Sequence, residues 1–278
     1  MKISFIGAGR VANAFSAYIK AFGIAVGIYD KNHIYTDYQT RTPNKQRLEA
    51  IFAASDIVFI TTPDDTIREV AEMIAALETD IADTVVAHMS GSLGSDELQV
   101  LSCNCNGIFS LHPMMSILGQ PIDFSKVYFT LEGSGDENMI GDMLRRIDAH
   151  YSRIESSSKA LYHAASCFCA NYSVTLMDMS RRLFEDIGIS EEHAWQILMP
   201  LMRQVLCNVE QNGSQNALTG PVSRGDAGTL RKHLAAMDMR RGELAAVYRF
   251  MGKETAAFAR RAGVIDDAKA DAVIDAFS

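Results

Sequence analysis

Residues 2–12 read Lys2-Ile3-Ser4-Phe5-Ile6-Gly7-Ala8-Gly9-Arg10-Val11-Ala12, an alternating apolar run that breaks into glycines. Ile3, Phe5 and Ile6 supply a strand, and Gly7, Gly9 and Ala12 match G-x-G-x-x-A at a strand-to-helix turn. Gly7 permits the tight turn, Gly9 lacks the Cβ that would block a pyrophosphate, and Ala12 lets the next helix pack closely on the sheet. The backbone from Gly7 through Ala8, Gly9, Arg10 and Val11 then offers amides to phosphates, where the helix dipole favours negative charge. Any tight strand-to-helix turn selects glycine, with or without a ligand. A second strand over 24–29 sharpens the reading, because it ends in Asp30, about 20 residues on, where an acid hydrogen-bonds an adenosine ribose 2′-OH.

Outward from this turn, residues 31–46 are polar and irregular, and a short helix is expected over 48–54. Residues 56–61 form a buried-strand pattern ending in Thr62-Pro63-Asp64-Asp65, a loop placed to meet a dinucleotide ribose, and 66–77 have helical spacing. Strands follow over 84–88, closing in Met89-Ser90-Gly91-Ser92, and over 107–111, closing in His112-Pro113-Met114-Met115. Further strands lie at 127–131 and 151–154. The alternation predicts an α/β Rossmann domain over 1–154, with a doubly wound, mainly parallel sheet. Ligands bind beyond the carboxyl ends of such strands, so Thr62, Ser90 and His112 are expected beside Gly7 and Gly9.

From Ser156 the pattern is helical, over 159–187, 191–209, 228–239 and 241–262, which predicts an all-α domain over 155–278. Lys159, His163, Ser166 and Asn171 fall on one broad face of a helix otherwise rich in Ala, Leu, Cys and Phe. Buried polar groups demand partners, so this face meets another surface or lines a ligand cavity. Leu218-Thr219-Gly220-Pro221-Val222-Ser223-Arg224-Gly225-Asp226 reads as a capped connection in which Asp226 is the N-cap. Its Arg224 offers a guanidinium fork to a carboxylate or phosphate, or a surface ion pair.

With 278 residues, 48% of them hydrophobic, the chain can bury a sizeable core and is long enough for two domains. A net charge of −8 with no dense Lys/Arg run argues against nucleic acid or an anionic membrane as partner. No run of about 18 apolar residues is present to span a membrane. Five cysteines with no secretory signal indicate reduced thiols and a cytoplasmic location. The Cys103/Cys105 and Cys167/Cys169 pairs lack zinc spacing, so no metal is expected. The many helices and the Met-rich segment around Met199 and Met202 suit a homodimer interface or ordinary core.

These blocks together resemble the NAD(P)-dependent oxidoreductases that join an N-terminal Rossmann-like domain to a C-terminal domain of unknown function 2520. The resemblance is carried by the glycine turn, Pro63-Asp64-Asp65, His88-Met89-Ser90-Gly91 and Ser110-Leu111-His112-Pro113. Tyr162-His163-Ala164-Ala165 with Asn171-Tyr172, and Leu218-Thr219-Gly220-Pro221 with Arg224-Gly225-Asp226, complete it in order. More distantly the layout is similar to the 6-phosphogluconate, ketopantoate and prephenate dehydrogenase superfamily, which implies a 6-phosphogluconate-dehydrogenase-like helical domain. His112-Pro113-Met114 resembles the prephenate dehydrogenase block whose histidine contacts the oxygen being oxidised, although Ser116 replaces the usual glycine. Lys159 and Asn171 are spaced unlike the Lys/Asn pair of hydroxyacid dehydrogenases.

The expected function is hydride transfer between nicotinamide and a small, anionic carbonyl, hydroxy or imine acid held between the domains. His112 is the first choice for acid/base, since imidazole titrates near neutrality, and His163 the second. Ser90 and Asn171 would bond the reacting oxygen, while Lys159 and Arg224 would favour a carboxylate. Gly7, Ala8, Gly9, Arg10, Val11, Asp30, Lys31, Thr62, Pro63 and Asp64 form the cofactor set. Asp30 favours NAD, whereas the adjacent Lys31 and the resemblance favour NADP. The alternative is a dinucleotide-binding regulatory or interaction protein without catalysis, and an imine reductase of the pyrroline-carboxylate type would share the architecture.

Overall fold

In the computed structural model, which describes residues 1–278, the opening run forms strand β1 (Lys2–Ile6), in which Ile3, Phe5 and Ile6 are at most 1% exposed. Helix α1 (Arg10–Lys20) buries Ala12, Phe15 and Ile19 on the sheet, as its apolar spacing requires. The first unit continues through β2 (Ala25–Tyr29), α2 (Lys31–Ile34), β3 (Tyr35–Asp37), β4 (Thr42–Pro43), α3 (Lys45–Ala53), β5 (Ile57–Ile60) and α4 (Ile67–Ala75). Then come β6 (Ile81–His88), β7 (Cys105–Pro113), β8 (Tyr128–Gly135), α5 (Asn138–Arg146), β9 (His150–Arg153) and α6 (Lys159–Cys169).

Seven strands form one sheet in the order β2-β1-β5-β6-β7-β8-β9. All neighbours are parallel except β7 and β8. One core, built on Phe5, Phe15, Phe59, Phe109, Phe124 and Phe129, lies on the face covered by α1 and α5. A second, with Ile60, Val70, Ile74 and Val86, lies under α3 and α4. Helices on both faces make the sheet doubly wound. Its order reverses at β1, which puts the topological switch point between β1 and β5.

Two local expectations are corrected. Residues 31–46 are not irregular: α2 is capped by Asp30, and β3 and β4 pair as a small hairpin. Its order comes from polar and ring contacts, with Lys31 Nζ 4.5 Å from the Tyr38 ring and Arg41 4.9 Å from it, so it lacks an apolar period. The single helix expected over 159–187 is two, α6 and α7 (Asn171–Glu185), divided at Ala170.

By contacts the chain divides into residues 1–171 and 172–278, so α6 belongs with the sheet. The second unit continues from α7 through α8 (Glu191–Ala217), α9 (Pro221–Arg224), α10 (Ala227–Asp238), α11 (Gly242–Arg261) and α12 (Asp267–Ala276). Its core gathers Leu230, Leu234, Ala256, Val273 and Phe277. Gly252 is required there, because a Cβ would lie 2.2 Å from the Phe277 ring. No helix is long and apolar enough to cross a membrane.

Candidate active site

The glycine turn is built as its sequence demands. Gly7 has φ +112°, and a Cβ there would lie 2.5 Å from the Thr61 carbonyl carbon, so the close approach of β1 and β5 excludes any side chain. Around Gly9, by contrast, a Cβ would meet only Thr61 O at 3.7 Å, which leaves open space where a phosphate must approach. Gly9 caps α1 with no side chain on the first-turn amides, so these remain donors at the positive end of the helix dipole.

A cleft of about 600 Å³ opens at the switch point, lined by Gly7, Ala8, Gly9, Asp30, Lys31, Arg41, Thr62 and Pro63 among others. Thr62 Oγ1 is buried without a hydrogen-bond partner, as a hydroxyl reserved for a ligand would be. This orphan donor, the φ of Gly7 and the space at Gly9 together fit a dinucleotide. The side chains of three members of the expected cofactor set make other contacts, which leaves the backbone amides of Arg10 and Val11 in the glycine turn. Arg10 lines a second cavity along α1, Val11 packs against the apolar core, and Asp64 accepts hydrogen bonds from Ser90 Oγ (2.8 Å) and Ser92 Oγ (3.0 Å). The Asp30 carboxylate accepts from the Asn32 amide at 2.9 Å and pairs with His33 Nδ1 at 2.7 Å; the His33 bond, chiefly, lowers its pKa.

At the same carboxyl edge of the sheet a second cavity, of about 460 Å³, is lined by His112, Met114, Tyr162, His163, Ser166 and Asn171 among others. His112 lies within β7 rather than beyond its end. Its Nδ1 is 2.8 Å from the Tyr162 hydroxyl. Burial, with the Lys159 and His163 charges, pushes the His112 pKa down to about 4, so the ring is neutral at pH 7. This removes the reason for choosing His112 as a group that titrates near neutrality. A Cβ at Gly91 would lie 2.8 Å from His112 Nε2 and 2.9 Å from His163 Cδ2, so glycine allows the β6 loop to touch both imidazoles.

Lys159 is 2% exposed and sits beneath this cavity, donating to Ser90 O (3.0 Å) and Ser110 Oγ (2.7 Å). Burial lowers its pKa to about 8, against the opposing pull of Glu132 and Asp64. Ser90 Oγ also accepts from the Ser92 and Leu93 amides, so its hydroxyl organises the loop. His88, fully buried, bonds Gly94 O and the Ser90 amide in the same loop. Ser166 Oγ donates to His163 O, and Tyr162, His163 and Asn171 are further polar side chains of α6 and α7 at the cavity wall. Arg224 belongs to the second unit, exposed at the end of α9, where its charge helps lower the Asp226 pKa behind the Thr229 hydrogen bonds. Sequence reasoning missed Tyr162 and Gly91. Tyr162 lies three residues after Lys159, on the polar face already recognised.

The Rossmann-like domain family matches residues 1–113, and the domain of unknown function DUF2520 matches 127–255. The two matches together cover most of the chain, which joins a Rossmann-like domain to a DUF2520 domain. No curated protein matches this chain in sequence. Among solved structures it is similar to protein TM1727 from Thermotoga maritima (25% identity, 94% of this chain and 97% of that one, TM-score 0.68). Two more distant likenesses show the fold. One is Plasmodium falciparum pyrroline carboxylate reductase with NADP bound (14% identity, 100% and 98% covered, TM-score 0.60). The other is a reductive aminase from Aspergillus terreus in complex with NADPH and ethyl levulinate (14% identity, 100% and 99% covered, TM-score 0.62).

Proposed function

We propose that this DUF2520 protein is an NAD(P)-dependent oxidoreductase that reduces, or in reverse oxidises, a small anionic carbonyl, hydroxy or imine acid. The observation that carries the reading is the pair of cavities on one edge of a parallel sheet, one framed by the glycine turn and the other by a neutral imidazole. They open at β1/β5 and β7, two strand spacings or about 10 Å apart, a span a dinucleotide lying across the edge can cover. Bound nicotinamide would supply hydride chemistry. The chain's own residues hold the phosphates on the α1 amides, give the orphan Thr62 hydroxyl a partner, and present His112 to the heteroatom of the substrate. Near-neutral electrophilic imidazole is an established way to polarise a carbonyl without carrying charge. His163 and Asn171 line the same cavity, which supports assigning them to the acid.

NADP is the cofactor we favour. Asp30 is engaged by Asn32 and His33, and Lys31 and Arg41, the latter paired with Glu69 at 3.3 Å, line the same cleft and offer cations to a 2′-phosphate. Two of the enzymes similar in fold are solved with NADP or NADPH, and another, a ketol-acid reductoisomerase, is NADH-preferring, so the choice rests on the cleft's own cations. Fluorescence titration with NADPH and NADH, with Gly9→Asp as control, tests both points. Binding of NADPH that is lost in the control and weakened about tenfold or more in Arg41→Ala supports the reading. No binding of either cofactor by folded protein would leave a regulatory or interaction module.

We also propose a cytoplasmic homodimer. Ile197, Leu201, Val205 and Val209 recur every fourth residue along α8 and are each at least 41% exposed, an apolar stripe that a second copy would cover. Light scattering after size exclusion tests this: a dimer in the wild type and a monomer in Leu201→Lys is the expected result.

A further inference from the structure

His112 carries one proton between two ring nitrogens at neutral pH, and the structure contains what decides where it sits. Nδ1 is 2.8 Å from the Tyr162 hydroxyl, while Nε2 has no protein partner and lies beside Gly91. Thr130 is directly opposite His112 in the antiparallel register of β7 and β8. Its Oγ1 is buried with no partner at hydrogen-bond distance, so it takes no part in the Tyr162–His112 pair. Burial pushes the Tyr162 phenol up. The phenol therefore keeps its proton.

The shared proton has two arrangements. In one, Tyr162 O–H donates to His112 Nδ1, and the imidazole proton is on Nε2, facing the cavity. In the other, Nδ1–H donates to the Tyr162 oxygen, and the phenol proton is left with no protein acceptor at hydrogen-bond distance. A donor without an acceptor is the costlier defect, whereas an unused lone pair on a hydroxyl is tolerated. The first arrangement wins on that difference.

We propose that Tyr162 is a positioning residue that fixes His112 as its Nε2–H tautomer, so that an N–H donor is offered to the reacting heteroatom of the substrate. This rests on the oxidoreductase reading for its meaning, though not for its test. Burial first, then the Lys159 and His163 charges, keeps the imidazole neutral, so the ring polarises by donating a hydrogen bond rather than by holding a charge. His88 and the Asp64 carboxylate are the other ionisable groups that bear on it.

The test uses full-length ¹⁵N-labelled protein and long-range ¹H–¹⁵N correlation of the imidazoles at pH 7, with His112 assigned by its loss in His112→Asn. The expected wild-type pattern is a protonated Nε2 and an Nδ1 that accepts a hydrogen bond. In Tyr162→Phe the Nδ1 resonance should move to that of a free pyridine-type nitrogen, while NADPH affinity stays within about twofold. A wild-type His112 protonated on Nδ1, or an Nδ1 resonance unmoved in Tyr162→Phe, overturns the proposal. Should the phenylalanine variant not fold, the wild-type tautomer decides by itself. Failure of NADPH to bind the wild type would defeat the oxidoreductase reading and leave the tautomer result standing, so the two failures are distinguishable.

Discussion

Replacing Lys159 by Met should flatten a pH dependence of stability that the wild type carries into the alkaline range. The Lys159 ammonium is 2% exposed and its pKa falls from 10.5 to about 8, chiefly through burial. At about 1.4 kcal/mol per pH unit, that gap corresponds to roughly 3 kcal/mol. Below pH 8 both folded and unfolded chains hold the proton, so the folded protein bears the full cost of a buried cation. Between pH 8 and 10.5 the folded chain has released it while the unfolded chain has not, and stability rises with pH. Lys159→Met carries no such group, although it forfeits the bonds to Ser90 O and Ser110 Oγ. Urea denaturation of both proteins from pH 7 to 10.5 measures this. Thiols and tyrosines titrate alike in the two, so the difference between them isolates Lys159, and the wild type should gain about 3 kcal/mol on the variant across the window. A flat difference would mean that water reaches the ammonium, and the account of the floor beneath His112 would be wrong.

His112 gives the acid counterpart. Its pKa is about 4 against an ordinary 6.5, so the unfolded chain takes up a proton first as pH falls through that window. Stability should decline by roughly 2 kcal/mol between pH 6.5 and 4 in the wild type and by less in His112→Asn, as read by denaturation at the two ends. Gly7→Ala should fail to accumulate as folded protein, since its Cβ meets the Thr61 backbone at 2.5 Å. Gly9→Ala should fold normally and lose about tenfold or more in NADPH affinity, as circular dichroism and fluorescence titration would report. Gly252→Ala should destabilise the second unit by about 1–3 kcal/mol, because Phe277 must give way. A thermal melt unchanged from wild type would contradict the packing around α11.

The strands and the glycine turn were legible because their signals are local: a period of two in Ile3 and Phe5, then glycines where the backbone approaches Thr61. The hairpin around Tyr35, Tyr38 and Arg41 was not, since ring and cation contacts leave no period to read. Ser90 was legible as a loop residue at a strand end but not as the partner of Asp64, which requires knowing that the β5 and β6 loops touch. Lys159, likewise, looked like a cavity group on its helix face, and only the depth of the sheet edge shows that its ammonium ends under the loop rather than in the cavity. Thr130 could not be singled out as the residue opposite His112, because that placement is a matter of strand register.

The antiparallel pairing of β7 with β8 separates inheritance of chemistry from inheritance of fit. His112 and Thr130 are locked opposite one another by the ladder, while the connection between them, residues 114–127, carries Met114, Met115 and Ser116 into the cavity wall. A loop tied at both ends to paired strands can lengthen, shorten or change sequence without shifting its anchors. Relatives can therefore exchange this connection and acquire new substrates while the imidazole, its tyrosine and the strand beneath them stay where they are.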